Sequence, residues 1–471
     1  MDQLTIPGYP LEVFYVAAII GVVLVLFRPR WAFFFAVFCL SIRHFHMAAF
    51  TRIKELGPYV NLNDLFLWIG VGAMLRLVWK DRTLWAPNIL LAIIGIVVLG
   101  SLQSLFFYGF HRDVMQELWR SWIFPIMFLV GANMVRDNDD ARLFFWALIL
   151  GSLGAALQHL VYMQTQMDMG EVGVGVSQLR TISFSMSGGI FLVISALYFD
   201  MRKILKRSYS FLFCMAALGI IAISYLLSFT RTVWIGAVMA VVALFVAFYR
   251  ERKKVLPKMA YSIALLVAIF LIFRLANTFL LSDVNLEQSI NERADFIRYE
   301  DSFEEAYQTR ESGMETELSM WKNGSILWGV GASYPPDLMD STIEETGALG
   351  HVAYSVYLAH FGLIGLLVYA ILLPYLTIKG GRRYFLIHRQ DYGGALAMTA
   401  MALAFFDVFT LLSSNHYIAS TSQVPGLIYG AFWGLARTLE VSPIGYPANI
   451  MLNKRTQSWL PGPINQLSGY L

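Results

Sequence analysis

The sequence predicts an all-α polytopic membrane protein with about 12–13 transmembrane helices and one large acidic loop on the outer side of the membrane. Apolar residues make up 57% of the 471-residue chain and charged residues only 14%, and long apolar runs recur along most of its length. A soluble domain carries about 25% charged residues, and a helix needs roughly 20 apolar residues to cross the hydrocarbon core. A soluble enzyme with one large core is therefore excluded.

The apolar runs define thirteen predicted spans, of which the second is interrupted by Arg43, His44 and His46. We predict spans at 11–27, 31–49, 61–79, 87–107, 116–135, 141–163, 181–200, 209–229, 232–249, 259–280, 351–377, 393–413 and 422–438. The predicted organisation is ten spans in 1–280, a loop domain in 281–350, three spans in 351–440 and a tail in 441–471.

The charges of the loops predict the orientation. Every second loop is basic, and this set holds 23 of the 35 Lys and Arg residues, which the positive-inside rule assigns to the cytoplasm. The amino terminus is then outside and the carboxyl terminus inside. No basic residue precedes the first apolar run; Asp2 lies before it and Glu12 at its start, so we expect no cleavable signal peptide.

The loop domain is long and strongly acidic. Residues 281–350 contain 15 acidic residues, whereas only Arg293, Arg298, Arg310 and Lys322 are basic. A loop of this length is usually functional, although a folded acidic cap would explain the same composition. No internal repeat is evident, which weakens a transporter built from two related halves.

Arginines gather at the outer ends of the spans, on the side that the charge rule disfavours. These residues are Arg43, Arg120, Arg180, Arg231 and Arg274. Each one alone is explained as a snorkelling side chain, but together they suggest a site for a phosphate or diphosphate, which the guanidinium group binds with two parallel hydrogen bonds. Asp407, inside a span, is an alternative partner for Arg231.

Motifs for other chemistry are missing from the sequence. It has no phosphate-binding Walker loop, no dinucleotide-binding glycine turn and no acidic pair at metal-ligand spacing. Cys39 and Cys214 both lie in apolar runs, which argues against a disulfide framework. We expect no cofactor, no metal and no nucleic-acid partner.

Two histidines follow the acidic loop. His351 lies where the loop meets the eleventh span, so it is a candidate general base, or else an interfacial polar residue. His360 lies nine residues later and would face the opposite side of a regular helix. The two histidines would not share a metal, and we expect His360 to tolerate replacement.

Three stretches around the loop carry a resemblance to a known family. They are "LSFTRTVWIG", "MWKNGSILWGVGASY" and "HVAYSVYLAHFGLIGLL". In this order they resemble the O-antigen ligase and polymerase superfamily, which assembles bacterial envelope glycans. Thr230 stands where the family usually has Ser, and Val352 where it has Asn.

The resemblance implies a multispan membrane glycosyltransferase. Because arginines can stabilise charge on the diphosphate, we expect it to be independent of metal. It would act at the periplasmic face of the bacterial inner membrane on an undecaprenyl-diphosphate-linked glycan donor. Arg231 would hold the diphosphate, and His351 would assist the acceptor.

The resemblance leaves the second diphosphate ligand open. Glu317 occupies the position four residues before Trp321 where the family commonly has an arginine, so Arg180, Arg310 and Arg274 compete for that role. We predict that Trp321, Glu317 and Tyr354 contact the sugar or the acceptor.

The favoured function is a polymerase that joins lipid-linked repeats into O-antigen or exopolysaccharide. Its partners would be membrane lipids, the lipid-linked donor and an acceptor that is a lipid-linked repeat, with a chain-length regulator and a flippase as further candidates. The close alternative is a ligase that transfers glycan to lipid A-core or to a protein. A transporter or flippase is the alternative of another class, but it would need polar residues distributed through the mid-membrane.

Overall fold

The computed structural model of the protein describes residues 11–42, 62–81, 83–168, 184–198, 208–226, 231–248, 300–335, 352–388, 391–410 and 422–440. In these parts of the chain the regular secondary structure is helical, without a named β-strand.

The helices before the acidic loop are α1 (Leu11–Phe27), α2 (Pro29–Ile42), α3 (Leu62–Asp81), α4 (Asn88–Tyr108), α5 (Arg112–Met134), α6 (Asn138–Asp168), α7 (Phe184–Tyr198), α8 (Ser208–Leu226) and α9 (Arg231–Ala247). The remaining helices are α10 (Glu300–Asn323), α11 (Ala353–Leu366), α12 (Leu373–Ile387), α13 (Tyr392–Thr410) and α14 (Gln423–Glu440), and a π-helical turn, Leu367–Leu372, joins α11 to α12.

The predicted fold class is confirmed: the chain is an all-α polytopic membrane protein. Four described helices are long and apolar enough to cross a membrane, namely Asn88–Tyr108, Asn138–Leu160, Ala353–Ile387 and Tyr392–Thr410. Each predicted span within the described residues coincides with a helix, and the tenth span, 259–280, lies outside them. The total number of crossings and the division into domains stay predictions.

A row of glycines brings two helices into backbone contact. Gly426, Gly430 and Gly434 recur every four residues along α14 and pack against the main chain of α5, and Gly131 of α5 packs against the main chain of α14. Small residues at this spacing let membrane helices approach closely. Because Gly426 lies beside Phe124 and Gly434 lies beside Val135, the two helices run in the same direction. If successive spans cross the membrane in alternating directions, spans five and thirteen must also run in the same direction.

Contacts among the last helices show which ends share one side of the bundle. α12 and α13 are antiparallel, because Gly381 packs against Met401 and Gly393 packs against Tyr384. The start of α11 and the end of α13 therefore lie on the same side. We call this side the loop side, since it also carries α10, which packs against α11.

Candidate functional site

The helix that follows the acidic loop is broken at Gly362. This residue has φ 64° and ψ −161°, a backbone conformation that glycine adopts far more readily than other residues. A side chain here would also overlap the backbone of Leu327. The break interrupts the helical hydrogen bonds within a span, so the freed backbone groups need other partners.

Those partners come from residues 324–335 of the acidic loop, which we call the docked segment. The amide nitrogens of Leu363 and Ile364 donate to the carbonyl oxygens of Ile326 and Leu327, at 3.0 and 3.3 Å. In return, the amide nitrogen of Val330 donates to the carbonyl oxygen of Ala359 at 2.7 Å. The docked segment therefore replaces part of the hydrogen bonding that the break removes.

Polar groups near the carboxyl-terminal end of α4 hold the other side of the docked segment. The amide nitrogen of Ala332 donates to the Gly100 carbonyl oxygen at 3.0 Å, and that of Ser333 donates to Ser104 Oγ at 3.1 Å. Gln103 Nε2 donates to the Gly329 carbonyl oxygen at 2.9 Å. Hydrogen bonds on both sides thus hold the docked segment between α4 and α11.

Glu317 lies buried at the junction of α10, α11 and the docked segment, with 1% of its surface exposed. The Tyr334 hydroxyl donates to Glu317 Oε1 at 2.9 Å, and the Ser355 hydroxyl donates to Glu317 Oε2. Burial, followed by the neighbouring Glu317 carboxylate, raises the pKa of the Tyr334 hydroxyl well above its ordinary value. Tyr334 therefore remains a hydrogen-bond donor to the carboxylate at neutral pH.

His360 belongs to the same buried cluster, with 1% exposure. Its Nδ1 lies 2.8 Å from the Gly331 carbonyl oxygen, and its ring meets that of Tyr334 edge-on, with the centroids 4.4 Å apart. The expectation that His360 tolerates replacement is revised, because its ring packs beneath the docked segment. Helical periodicity alone could not reveal this contact, which depends on a segment 29 residues away in the chain.

Arg231 is the first residue of α9, and its backbone lies on the loop side. Gly236, one turn further along, packs against Phe406 and Thr410 near the end of α13. A helix amino terminus carries a partial positive charge and free amide donors, so it favours an anion. The structure describes the backbone of Arg231 and not its side chain.

Most other predicted ligands of the diphosphate lie outside the described residues. Arg180, Arg274 and His351 are in this group, as is Arg43 of the outer arginine set. Arg310 is described only as backbone, within α10. Their predicted roles in binding and catalysis stay predictions.

Arg120 and Asp407, two charged residues within predicted spans, have defined partners in the structure. Arg120 forms an ion pair with Glu117, one turn away on α5. Asp407 of α13 is buried, and the Tyr429 hydroxyl donates to its Oδ2 at 2.5 Å. An ion-paired Arg120 is a weaker candidate for the anion site than Arg231.

The three residues that were predicted to contact sugar bind other groups of the protein. Glu317 is the buried acceptor described above, Trp321 Nε1 donates to the Ile326 carbonyl oxygen at 2.9 Å, and the Tyr354 hydroxyl contacts Met314 Sδ. In these positions they stabilise the loop, and their contact with sugar stays a prediction. Tyr334 and Ser355, which complete the Glu317 cluster, were not selected from the sequence because their hydroxyl groups have no diagnostic spacing.

A comparison with protein families identifies the region that contains this site. Residues 216–370 match the family model described as O-antigen ligase. We call residues 216–370 the O-antigen ligase region. The predicted resemblance to the O-antigen ligase and polymerase superfamily is thereby confirmed. No curated protein matches the chain significantly.

The O-antigen ligase region contains most of the site but not all of it. It covers the start of α9, the Glu317 cluster, the docked segment and the break at Gly362. Gly100, Gln103 and Ser104, which bind the docked segment, precede it. The family implies a membrane enzyme of the ligase or polymerase type that transfers glycosyl groups from lipid-linked glycans.

Proposed function

We propose that the protein is a glycosyltransferase of the bacterial inner membrane that polymerises lipid-diphosphate-linked oligosaccharide repeats at the periplasmic face. The observation that carries this proposal is that Arg231 opens helix α9 on the loop side, within the O-antigen ligase region. A guanidinium group and a helix amino terminus at the same point together favour binding of an anion. In this proposal the anion is the diphosphate of the lipid carrier undecaprenyl diphosphate.

The proposed reaction needs no nucleotide, because the diphosphate already activates the sugar. The acceptor hydroxyl oxygen attacks the anomeric carbon, the bond between that carbon and the diphosphate oxygen breaks, and the lipid diphosphate leaves with the electron pair. Arg231, with Arg180, Arg310 or Arg274 as the second ligand, stabilises the charge that develops on the leaving group. His351 accepts the proton of the acceptor hydroxyl and then releases it to water.

A metal is not required in this scheme, since arginine supplies the positive charge. We therefore expect glycosyl transfer by the reconstituted protein to continue at an unchanged rate in excess EDTA. Loss of activity in EDTA that returns with added Mg²⁺ would contradict metal-independent catalysis.

The second candidate is a ligase, which the description of the matching family favours. Its acceptor would be lipid A-core or a protein, and its diphosphate chemistry would be the same. The two functions differ in what accumulates when the protein is missing. A deletion strain should accumulate lipid-linked single repeats if the protein is a polymerase, and full-length lipid-linked chains if it is a ligase.

Reconstitution tests the proposal directly. Purified protein in liposomes that contain the lipid-linked repeat should produce a ladder of longer lipid-linked chains. Transfer of a preformed chain to lipid A-core without elongation would instead identify a ligase. Movement of the lipid-linked repeat across the bilayer without any new glycosidic bond would identify a flippase.

A further inference from the structure

Helix α10 presents two faces with different surroundings. Glu317 lies on the buried face towards α11, whereas Glu315 and Ser319 are exposed. Residues two apart on a helix point about 200° apart, because each residue turns the helix by roughly 100°. Glu315 and Ser319 therefore point away from the Glu317 cluster.

An open groove of about 600 Å³ runs along this second face. Small-molecule sites typically have volumes of about 300–1,000 Å³ and combine apolar walls with a few polar groups. Three polar side chains at i, i+4 and i+8 of α10 line the groove, namely Glu315, Ser319 and Asn323. Met320, Val330 and Pro335 supply apolar surface, the last two from the docked segment.

These groups suit hydroxyl-rich ligands better than anions. A carboxylate accepts hydrogen bonds, an amide both donates and accepts them, and a serine hydroxyl does either. Asn323 Nδ2 donates to Ser319 Oγ at 3.3 Å, so the two residues already form one polar row. The described lining holds a carboxylate and no basic side chain, which disfavours a diphosphate at this point.

The groove also lies next to a surface suited to lipid. A second groove of about 310 Å³ lies between α4 and the docked segment and is lined mainly by apolar residues, among them Leu99, Trp328 and Phe361. Ser325 lines this apolar groove, and the adjacent Gly324 lines the polar one. A saccharide in the polar groove would therefore be held beside an apolar surface.

We propose that the groove on α10 binds uncharged sugars of the acceptor saccharide while that saccharide is tethered to the membrane. This inference rests on the proposed function for the reaction, but it assigns a separate binding surface. Glu317 and Trp321, which were predicted to contact the sugar, make contacts within the protein instead. The sugar contacts are now assigned to the groove residues Glu315, Ser319 and Asn323.

The test uses the full-length protein and a soluble saccharide. The probe is the oligosaccharide repeat released by mild acid from the lipid-linked intermediate of the deletion strain, and its Kd is measured by titration calorimetry. Asn323→Ala and Glu315→Gln should each weaken binding about fivefold, as expected for one lost hydrogen bond. Ser319→Trp should abolish binding, because the indole would fill the groove.

Lys322→Ala is the matched control, because Lys322 is exposed on the same turn but does not line the groove. It should bind the saccharide with the wild-type Kd. In the polymerisation assay, Asn323→Ala should raise the KM for the repeat and keep the wild-type kcat. A purely structural role would instead lower the melting temperature and kcat together.

Two results would overturn the assignment of the groove. One is a wild-type Kd in both Asn323→Ala and Ser319→Trp, and the other is an equal loss of binding in Lys322→Ala. Failure of the proposed function is a separate result. In that case the wild-type protein would bind the saccharide with the predicted sensitivity to groove variants but would make no glycosidic bond.

Discussion

At the scale of single residues, the neighbours in space decide what a charged side chain does. Glu317 stands where the family commonly has an arginine, and here its carboxylate accepts hydrogen bonds from Tyr334 and Ser355 in a buried cluster. Burying a carboxylate is costly unless hydrogen bonds compensate for the lost water. Both oxygens of Glu317 receive such a bond, which compensates for the water that the carboxyl group loses between the loop and the membrane helices.

The first prediction at this scale concerns Arg231. Arg231→Ala should lower kcat by about 10²–10³-fold, the usual cost of removing one donor that stabilises transition-state charge. Arg231→Lys keeps the charge but loses the two-pronged geometry, so it should remain strongly impaired. The measurement is polymer formation by reconstituted protein, with membrane insertion checked for each variant. Near wild-type polymer from the alanine variant would reduce Arg231 to a snorkelling residue.

The second prediction compares the two histidines. His351→Ala should bind the lipid-linked donor but lose about 10²–10⁴-fold in turnover, as expected for a general base. His360→Ala should lower the melting temperature instead, because it removes a buried ring and leaves the Gly331 carbonyl oxygen without that partner. Such a loss costs about 1–3 kcal/mol. Donor binding, turnover and thermal unfolding are measured for both variants. Normal turnover in His351→Ala would show that the base lies elsewhere.

At the scale of elements, the break at Gly362 and the docked segment depend on each other. A helix interrupted inside a membrane span is tolerated only where other protein groups satisfy the backbone. Ile326 and Leu327 provide acceptors for the helix after the break, while Ala359, before it, accepts from Val330. The acidic loop is therefore part of the membrane fold and not a separate cap.

The third prediction tests this dependence at Gly362. Gly362→Ala places a side chain against the Leu327 backbone and puts a residue with a Cβ into a conformation essentially restricted to glycine, which alone costs roughly 1–3 kcal/mol. We expect faster proteolysis within residues 324–335 and loss of polymerisation. Gly95→Ala is the control, because nothing lies within 4 Å of a Cβ added there. Equal protease resistance of the two variants would contradict the coupling of loop and helix.

At the scale of the whole molecule, the relative directions of the helices agree with an alternating path through the membrane. α5 and α14, which correspond to predicted spans five and thirteen, are parallel. α12 and α13, which correspond to spans eleven and twelve, are antiparallel. An alternating path requires both relations. These contacts give directions relative to one another. The side of the membrane on which the loop lies still follows from the positions of the basic residues.

The fourth prediction tests that orientation. After Cys39 and Cys214 are replaced by Ala, a single cysteine at position 2 or 304 should react with an impermeant thiol reagent in intact cells. A cysteine at position 454 should react only after the cells are permeabilised. Protection of position 2 together with labelling of position 304 would remove one predicted span before the loop.

The sequence by itself determined the membrane class, the approximate positions of the helices and the family of the central region. These properties are local, since they depend on the length of apolar runs, on charge in adjacent loops and on short motifs such as "LSFTRTVWIG". Tertiary structure alone decided that Glu317 and His360 are buried beneath the docked segment and that the face of Glu315 remains open. Burial depends on which segments meet in space, and the hydrogen bonds that join Gly331 to His360 and Gly100 to Ala332 connect distant parts of the chain.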